Sequence, residues 1–277
     1  MGHARSLPVL AALVLGTVAP ALAGDAPNAT RGLFPGEKAP SISATDLDGK
    51  PFALESARTI PADAALAAVA EAAKAFGAKD AVKPDTALDA LDGLKADGKL
   101  APEKVAAFVD AAGKPWGVLA TPASVASFKT VGDVSKWIEG SAEAPIVFVA
   151  WSSKCPTSKM YEERLTDAIA STGSRLYAVA VNANDPVDDI KAYVSAKELP
   201  YRILVDPEQK VNDVFGGKKT PHVFVLDAKN ILRYSGTVDS DAAMTEPEEK
   251  RVAWLKDALM AIKDGRLPAV QMTTPVG

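Results

Sequence analysis

The sequence predicts an α/β chain: a central mixed sheet covered on both faces by helices and interrupted by an α-helical insertion. Two observations carry this. From Ala144 onward, short apolar runs of strand length alternate with amphipathic helical segments and end in a hairpin and a helix. Between Glu55 and about Ala123 the chain turns Ala-rich, with apolar residues at helical spacing. A third observation concerns chemistry. Residue 155, at the handover from a strand to a helix, is the only cysteine among 277 residues.

Taken in order, the N-terminus begins with His3 and Arg5, followed by an apolar run from Leu7 to Leu22 and the small-x-small sequence Ala21-Leu22-Ala23. This predicts a signal peptide, residues 1–23, cleaved after Ala23, and an exported chain, periplasmic or extracellular, with no membrane association once cleaved. An uncleaved anchor is disfavoured by the shortness of the run and by Pro8 and Pro20. Residues 24–35 read as a linker. Asp48-Gly49, between alternating segments, signals a hairpin within 36–54.

The insertion, 55–125, shows three helical patterns: Ala64–Phe76, a second marked by Leu88, Leu91 and Leu94, and a third by Val105, Phe108 and Val109. Asp92–Gly98 resembles a calcium loop only superficially. Gly93 and Lys95 fall at its ligand positions, and Lys104 falls where a bidentate Glu belongs. The main body resumes at 126 and runs to 277. Val131–Glu139 reads as a helix, Ile146–Trp151 as a strand, Lys159–Ser171 as a helix and Arg175–Val181 as a strand. A helix opened by Asp185-Pro186 runs to Lys197. Tyr201–Val205 is a strand and Pro207–Phe215 a helix. Pro221–Leu226 and Ile231–Thr237 form a hairpin, and Thr245–Lys263 is the last helix.

A net charge of −4 offers no basic footprint for nucleic acid. With one Cys, and His222 as the single His beyond the signal peptide, a thiolate-rich zinc site or a two-cysteine copper site cannot be assembled. The sequence has no phosphate-binding glycine loop, and no cofactor is implied.

The chemistry therefore converges on Cys155. Exported chains use cysteines in pairs, and a single one is either a buried inert residue or a reactive thiol. Here the polar flanks Ser152, Ser153, Lys154 and Thr157, with Pro156 fixing the first helical turn, favour the reactive reading. A helix N-terminus and the Lys154 ammonium both stabilise a thiolate. Ser158 stands at the i+3 position, where a C-x-x-C oxidoreductase has its resolving thiol. It can donate a hydrogen bond but cannot form a disulfide. Thr220-Pro221 opens an apolar strand, where a proline removes a ladder donor. It is either a cis peptide beside an active site or a trans proline at a strand start. His222 is either a base for Cys155 or a packed strand residue. Arg164, Glu162 and Glu163 read as surface or sheet-edge ion pairs, and Asp185, Asp188 and Asp189 as partners of a helix dipole.

Several segments in order resemble the redoxin domains of the thioredoxin-like superfamily, its peroxiredoxin-like and TlpA-like branch. They are Gly36–Leu54, Ile146–Arg164, Val179–Asp185, Leu204–Gln209, Thr220–Asp227 and Tyr234–Asp239. The resemblance implies a thioredoxin-like fold, Cys155 as nucleophile, Pro221 as a cis-proline, and Thr220 as the residue whose backbone faces substrate. It implies thiol–disulfide exchange or peroxide reduction, with a protein disulfide or peroxide as substrate and an external thiol or redox protein as partner. Three departures matter. Ser158 breaks the two-cysteine pattern. Phe148 and Ser152 stand where peroxiredoxins have Pro and Thr. Relatives with Cys-Pro followed by Tyr-Glu-x-Arg, here Tyr161-Glu162 and Arg164, carry a further cysteine after Thr-x-Pro-x-Gly, where this sequence has Thr273–Gly277. The alternative expectation is a degenerate redoxin domain that binds a protein partner without turnover.

Overall fold

A computed structural model describes residues 31–277. The predicted signal peptide and most of the predicted linker lie outside the described residues. The end of that linker is already part of the fold, because Leu33 is buried and its N–H donates to the Val214 carbonyl at 3.0 Å.

Strands β1 (Ser43–Asp46) and β2 (Pro51–Ala53) form the hairpin that Asp48-Gly49 predicts. A single turn, α1 (Leu54–Ala57), leads to α2 (Ala62–Ala75). The helix expected at Leu88, Leu91 and Leu94 is not an α-helix but two 3-10 turns, Leu88–Ala90 and Asp92–Leu94. A spacing of three residues is the 3-10 period, and all three leucines are buried. Gly93 adds a second reason: a Cβ there would collide with the Phe76 carbonyl, so the chain passes too close to α2 for a regular helix. A two-residue ladder follows, β3 (Lys95–Ala96) with β4 (Lys99–Leu100). Then come α3 (Pro102–Gly113) with proline at its start, α4 (Pro122–Ser127) and α5 (Val131–Glu139). Thr121 and Thr130 close capping boxes at the last two.

The sheet proper is built from β5 (Ile146–Trp151), β6 (Arg175–Ala180), β7 (Arg202–Val205), β8 (His222–Leu226) and β9 (Leu232–Gly236). Its seven strands run in the order β2-β1-β7-β6-β5-β8-β9. β5, β6 and β7 are parallel, whereas β8 and β9 run antiparallel on one side and β1 and β2 on the other. Helices α6 (Pro156–Thr172), α7 (Val187–Lys197), α8 (Lys210–Phe215) and α9 (Trp254–Lys263) complete the chain. Among the described residues, no helix is long and apolar enough to cross a membrane.

Every residue of β5 and β6 is buried, which is why β5 reads as an unbroken apolar run. Val147, Val149 and Trp151 face one core, with Tyr161, Leu165, Leu255 and Leu259. Ile146, Phe148 and Ala150 face the other, with Phe52, Leu54 and Phe215. A third apolar cluster, from Ile60 to Ile138, joins α2, α3 and α5 with the three leucines. A fully buried Arg175 at the start of β6 ties this unit to the sheet. It donates to the carbonyls of Trp116 at 2.7 Å and Ala57 at 2.5 Å, and to the Tyr177 hydroxyl at 2.8 Å.

α2 begins two residues before the expected Ala64, and three helix starts in the main body also differ from expectation. α6 starts at Pro156, three residues early, so that Cys155 becomes its N-cap. α8 starts only at Lys210, because the Asp206 carboxylate receives the N–H groups of Val211 and Asn212 at 3.2 and 2.8 Å. α9 starts at Trp254 rather than Thr245. The amides of Thr245 and Glu246 donate to the Asp241 carboxylate instead, and Pro247 has no amide to give.

Candidate active site

Cys155 sits where the C-terminal end of the central parallel strand β5 meets the N-terminus of α6. Its side chain is partly exposed. The thiol donates to the Thr220 carbonyl at 3.0 Å, and the Ser158 N–H donates to Sγ at 3.5 Å. Burial pushes the Cys155 thiol up. Hydrogen bonding with the Thr220 side chain and donation from the Ser158 and Thr157 amides outweigh it, and the thiol stands below its ordinary value. The Ser158 and Thr157 donors are unpaired amides of the α6 start, which favour an anion.

Thr220 and Pro221 lie opposite, joined by a cis peptide bond. Position therefore brings together Cys155, Thr157, Ser158, Thr220 and Pro221. The other two candidates behave differently. The Lys154 ammonium is exposed and turns to α7, pairing with Asp189 at 3.0 Å and donating to the Asn184 carbonyl at 2.8 Å. The thiol is supported by helix amides rather than by this lysine. His222 is buried, with Nε2 3.0 Å from the Ser235 hydroxyl and its ring against Phe224 at 4.2 Å between centroids. Burial, with the nearby Lys218 charge, lowers it to about 4. It is a neutral packed strand residue, the second of the two readings above.

Asp185 has a role the sequence reading did not assign. Rather than serving the α7 dipole, its buried carboxylate accepts from the Ser152 hydroxyl at 3.0 Å and from the Ser153 amide at 2.7 Å and hydroxyl at 2.5 Å. Asn182 adds a bond to Ser152 at 3.1 Å. The loop after β6 thus fixes the loop that carries Cys155. The available signal was Ser152-Ser153 itself: two buried hydroxyls at a strand end need an acceptor, and the neighbouring parallel strand ends beside them.

The expected surface ion pairs of α6 are also corrected. Arg164 bridges Asp239 at 2.9 Å and Asp241 at 3.2 Å, both carboxylates nearly inaccessible, and Tyr161 donates to Asp239 at 3.0 Å. Glu162 accepts from Trp151 at 3.3 Å and from Tyr193 at 2.9 Å, and its burial raises it above the usual carboxylate range. Tyr161 and Arg164 brace α6 against the segment after β9, and Glu162 ties it to β5 and α7.

Fold and site together define a class of α/β protein with a partly exposed thiol at a strand-to-helix junction, opposite a cis-proline. Residues 127–235 match the AhpC/TSA family. A hypothetical protein from Sinorhizobium meliloti 1021 shares the fold at 14% identity, over 89% of this chain and 93% of that one, with a TM-score of 0.51. An uncharacterized conserved protein from Geobacillus kaustophilus is 16% identical over 86% and 87% of the two chains, with a TM-score of 0.47. Peroxidoxin BcpB from Mycobacterium tuberculosis is 11% identical over 84% and 97%, with a TM-score of 0.39. The matched span runs from the end of α4 into β9 and contains Cys155, Thr220 and Pro221.

Proposed function

We propose that this chain is an exported thiol oxidoreductase that works through Cys155 alone. The observation that carries the reading is a partly exposed thiol at a helix N-terminus, below its ordinary pKa and in contact with the Thr220 carbonyl. With a disulfide, the thiolate attacks one sulfur. A new S–S bond forms at Cys155, the substrate's S–S bond breaks, and the departing thiolate takes a proton from water. With a peroxide, the thiolate attacks one oxygen, the O–O bond breaks, and Cys155 becomes a sulfenic acid as water or an alcohol leaves. Ser158 cannot resolve either product, so an external thiol, small or carried by a redox protein, reduces it. Thr157 and Ser158 hold the sulfur anion. Thr220 and Pro221 form the wall along which substrate lies. Export is supported by the apolar N-terminal run ending at Ala21-Leu22-Ala23.

We also infer that residues 55–125 are an insertion between 36–54 and 126–277. The family match beginning at 127 and the separate apolar cluster support this, and the cluster draws α5 into the same unit. The presence of Ser158 in place of a second thiol favours one rival, a redoxin domain that binds a partner without turnover.

Mass-spectrometric trapping of the mature chain decides between them. The oxidoreductase reading expects a stoichiometric sulfenic acid or mixed disulfide at Cys155, absent from Cys155→Ser. An ordinary thiol pKa near about 8.5, with no reaction toward peroxide or a disulfide probe, would sink it. Recovery of the same partners by both proteins would support the binding module.

A further inference from the structure

The last residues of the chain lie against the candidate active site. Met272 bridges Ser235 in parallel register on the outer edge of β9. The Ser235 amide donates to the Gln271 carbonyl, and the Thr273 amide donates to the Ser235 carbonyl, both at 3.0 Å. The Thr273 hydroxyl receives the Thr237 amide at 3.0 Å and lies 2.8 Å from the Tyr234 hydroxyl. Gly236 leaves the room: a Cβ there would collide with Thr273. The segment is thus held against β9 by one parallel bridge and by the Thr273 side chain.

Its course then follows from the sheet. β8 is antiparallel to β9, and Val223 pairs with Gly236. A segment running parallel to β9 therefore passes Gly236 and arrives at the residues preceding β8, Thr220 and Pro221. Val276 packs on the core cluster that holds Tyr161 and Trp151. At Gly277 the backbones touch, because a Cβ on that residue would collide with the Thr220 carbonyl oxygen. This is the same oxygen that receives the Cys155 thiol.

We propose that residues 271–277 are a strap that occupies the polypeptide side of the Cys155 groove and so sets which electrophiles reach the thiol. The proposal rests on the reading of Cys155 as the reactive group beside Thr220. An extended peptide disulfide would need the Thr220 backbone that the strap already covers. A peroxide or a small disulfide needs only the exposed part of the sulfur. The strap therefore selects small electrophiles, and polypeptide substrates react only in the fraction of molecules in which it has lifted from β9.

Alkylation measures access to the thiol without requiring turnover. The intact mature chain is compared with a chain stopped after Arg266 and with Thr273→Pro, which removes both the amide and the hydroxyl that hold the strap. Each is treated with N-ethylmaleimide and with a maleimide carried on an extended ten-residue peptide, with rates normalised to free cysteine. On the intact chain the peptide reagent is expected to be slower than the small one by about tenfold or more. Both variants should recover most of that factor, while the small reagent changes by less than about threefold. Equal rates for the two reagents on the intact chain, or no gain in either variant, overturns the strap. Peroxide and small-disulfide reactions run in parallel report on Cys155 chemistry. A chain that alkylates selectively but forms neither sulfenic acid nor mixed disulfide loses the oxidoreductase reading and keeps the strap.

Discussion

The sheet around Cys155 and the helical unit beside it are held together in different ways. The sheet buries long β-branched and aromatic side chains on two faces, Val147, Val149 and Trp151 on one and Ile146 and Phe148 on the other. The helical unit leans more on small residues, with Ala65, Ala72, Ala73 and Ala112 buried among a few rings, of which Phe108 is the most deeply enclosed. Close helix approach through alanines gives little apolar area per residue. The unit therefore depends heavily on a few large anchors, and on Arg175 at its junction with the sheet. Strong binding of the thiol's surroundings thus comes from the sheet, and the helical unit follows it.

The sharpest way to break this comparison is to remove the central ring. Phe108→Ala is expected to cost about 4 kcal/mol, seen in thermal melts as early loss of the helical unit while slow amide exchange in β5 and β6 reports an intact sheet. A single shared transition would mean that the two regions fold as one. Arg175→Met addresses the junction. It strands the carbonyls of Ala57 and Trp116 and should cost about 3 kcal/mol in urea titration, with both regions affected.

On the sheet side, His222 gives a pH signature. Its folded value of about 4 lies below the ordinary 6.5. The unfolded chain therefore takes up the proton first. The corresponding stability is complete above the unfolded value and is lost as pH falls through the window from 6.5 to about 4. The loss at the acid end is about 3 kcal/mol. His222→Gln should flatten the denaturation midpoint across that window. An unchanged slope would show that the ring is not buried neutral. The smallest effect is the most local. Asp185→Asn should cost about 2 kcal/mol and loosen the Ser152–Lys154 loop, read as faster amide exchange at Ser153 and slower thiol reaction. Unaltered exchange at Ser153 would remove Asp185 from its positioning role.

What the sequence makes legible follows the same division. β5 and α5 match their predicted limits because burial on both faces, or a capped amphipathic face, writes a continuous signal. The leucines at 88, 91 and 94 are correctly buried but were assigned the wrong helix, since a period of three is easily taken for one of 3.6 when only three residues report it. Cys155, Thr220 and Pro221 could be placed because strand ends and helix starts are local features. Asp185, Arg164 and the strap could not. Their partners lie on other strands, 32 residues away for Ser153 and Asp185 and 75 for Arg164 and Asp239, and nothing local marks a carboxylate as an internal acceptor. Lys154 was misjudged for the complementary reason. Nearness in sequence suggested a partner for the thiol, while Asp189 offered a better one across the loop.

The two margins of the sheet bear on how the protein behaves when concentrated. Along β9, Glu37 and Lys38 meet Ile231 and Leu232 at one end, and Gln271 and Thr273 engage Ser235 at the other. At the far margin β2 is three residues long and opens with Pro51, while the Arg202 guanidinium binds the Lys50 and Pro51 carbonyls at 3.2 and 2.9 Å. Among the described residues, a second molecule looking for a strand to join finds part of the backbone already engaged at both margins. A sheet whose seams are closed in this way is a poor template for edge-to-edge polymerisation when the protein is crowded.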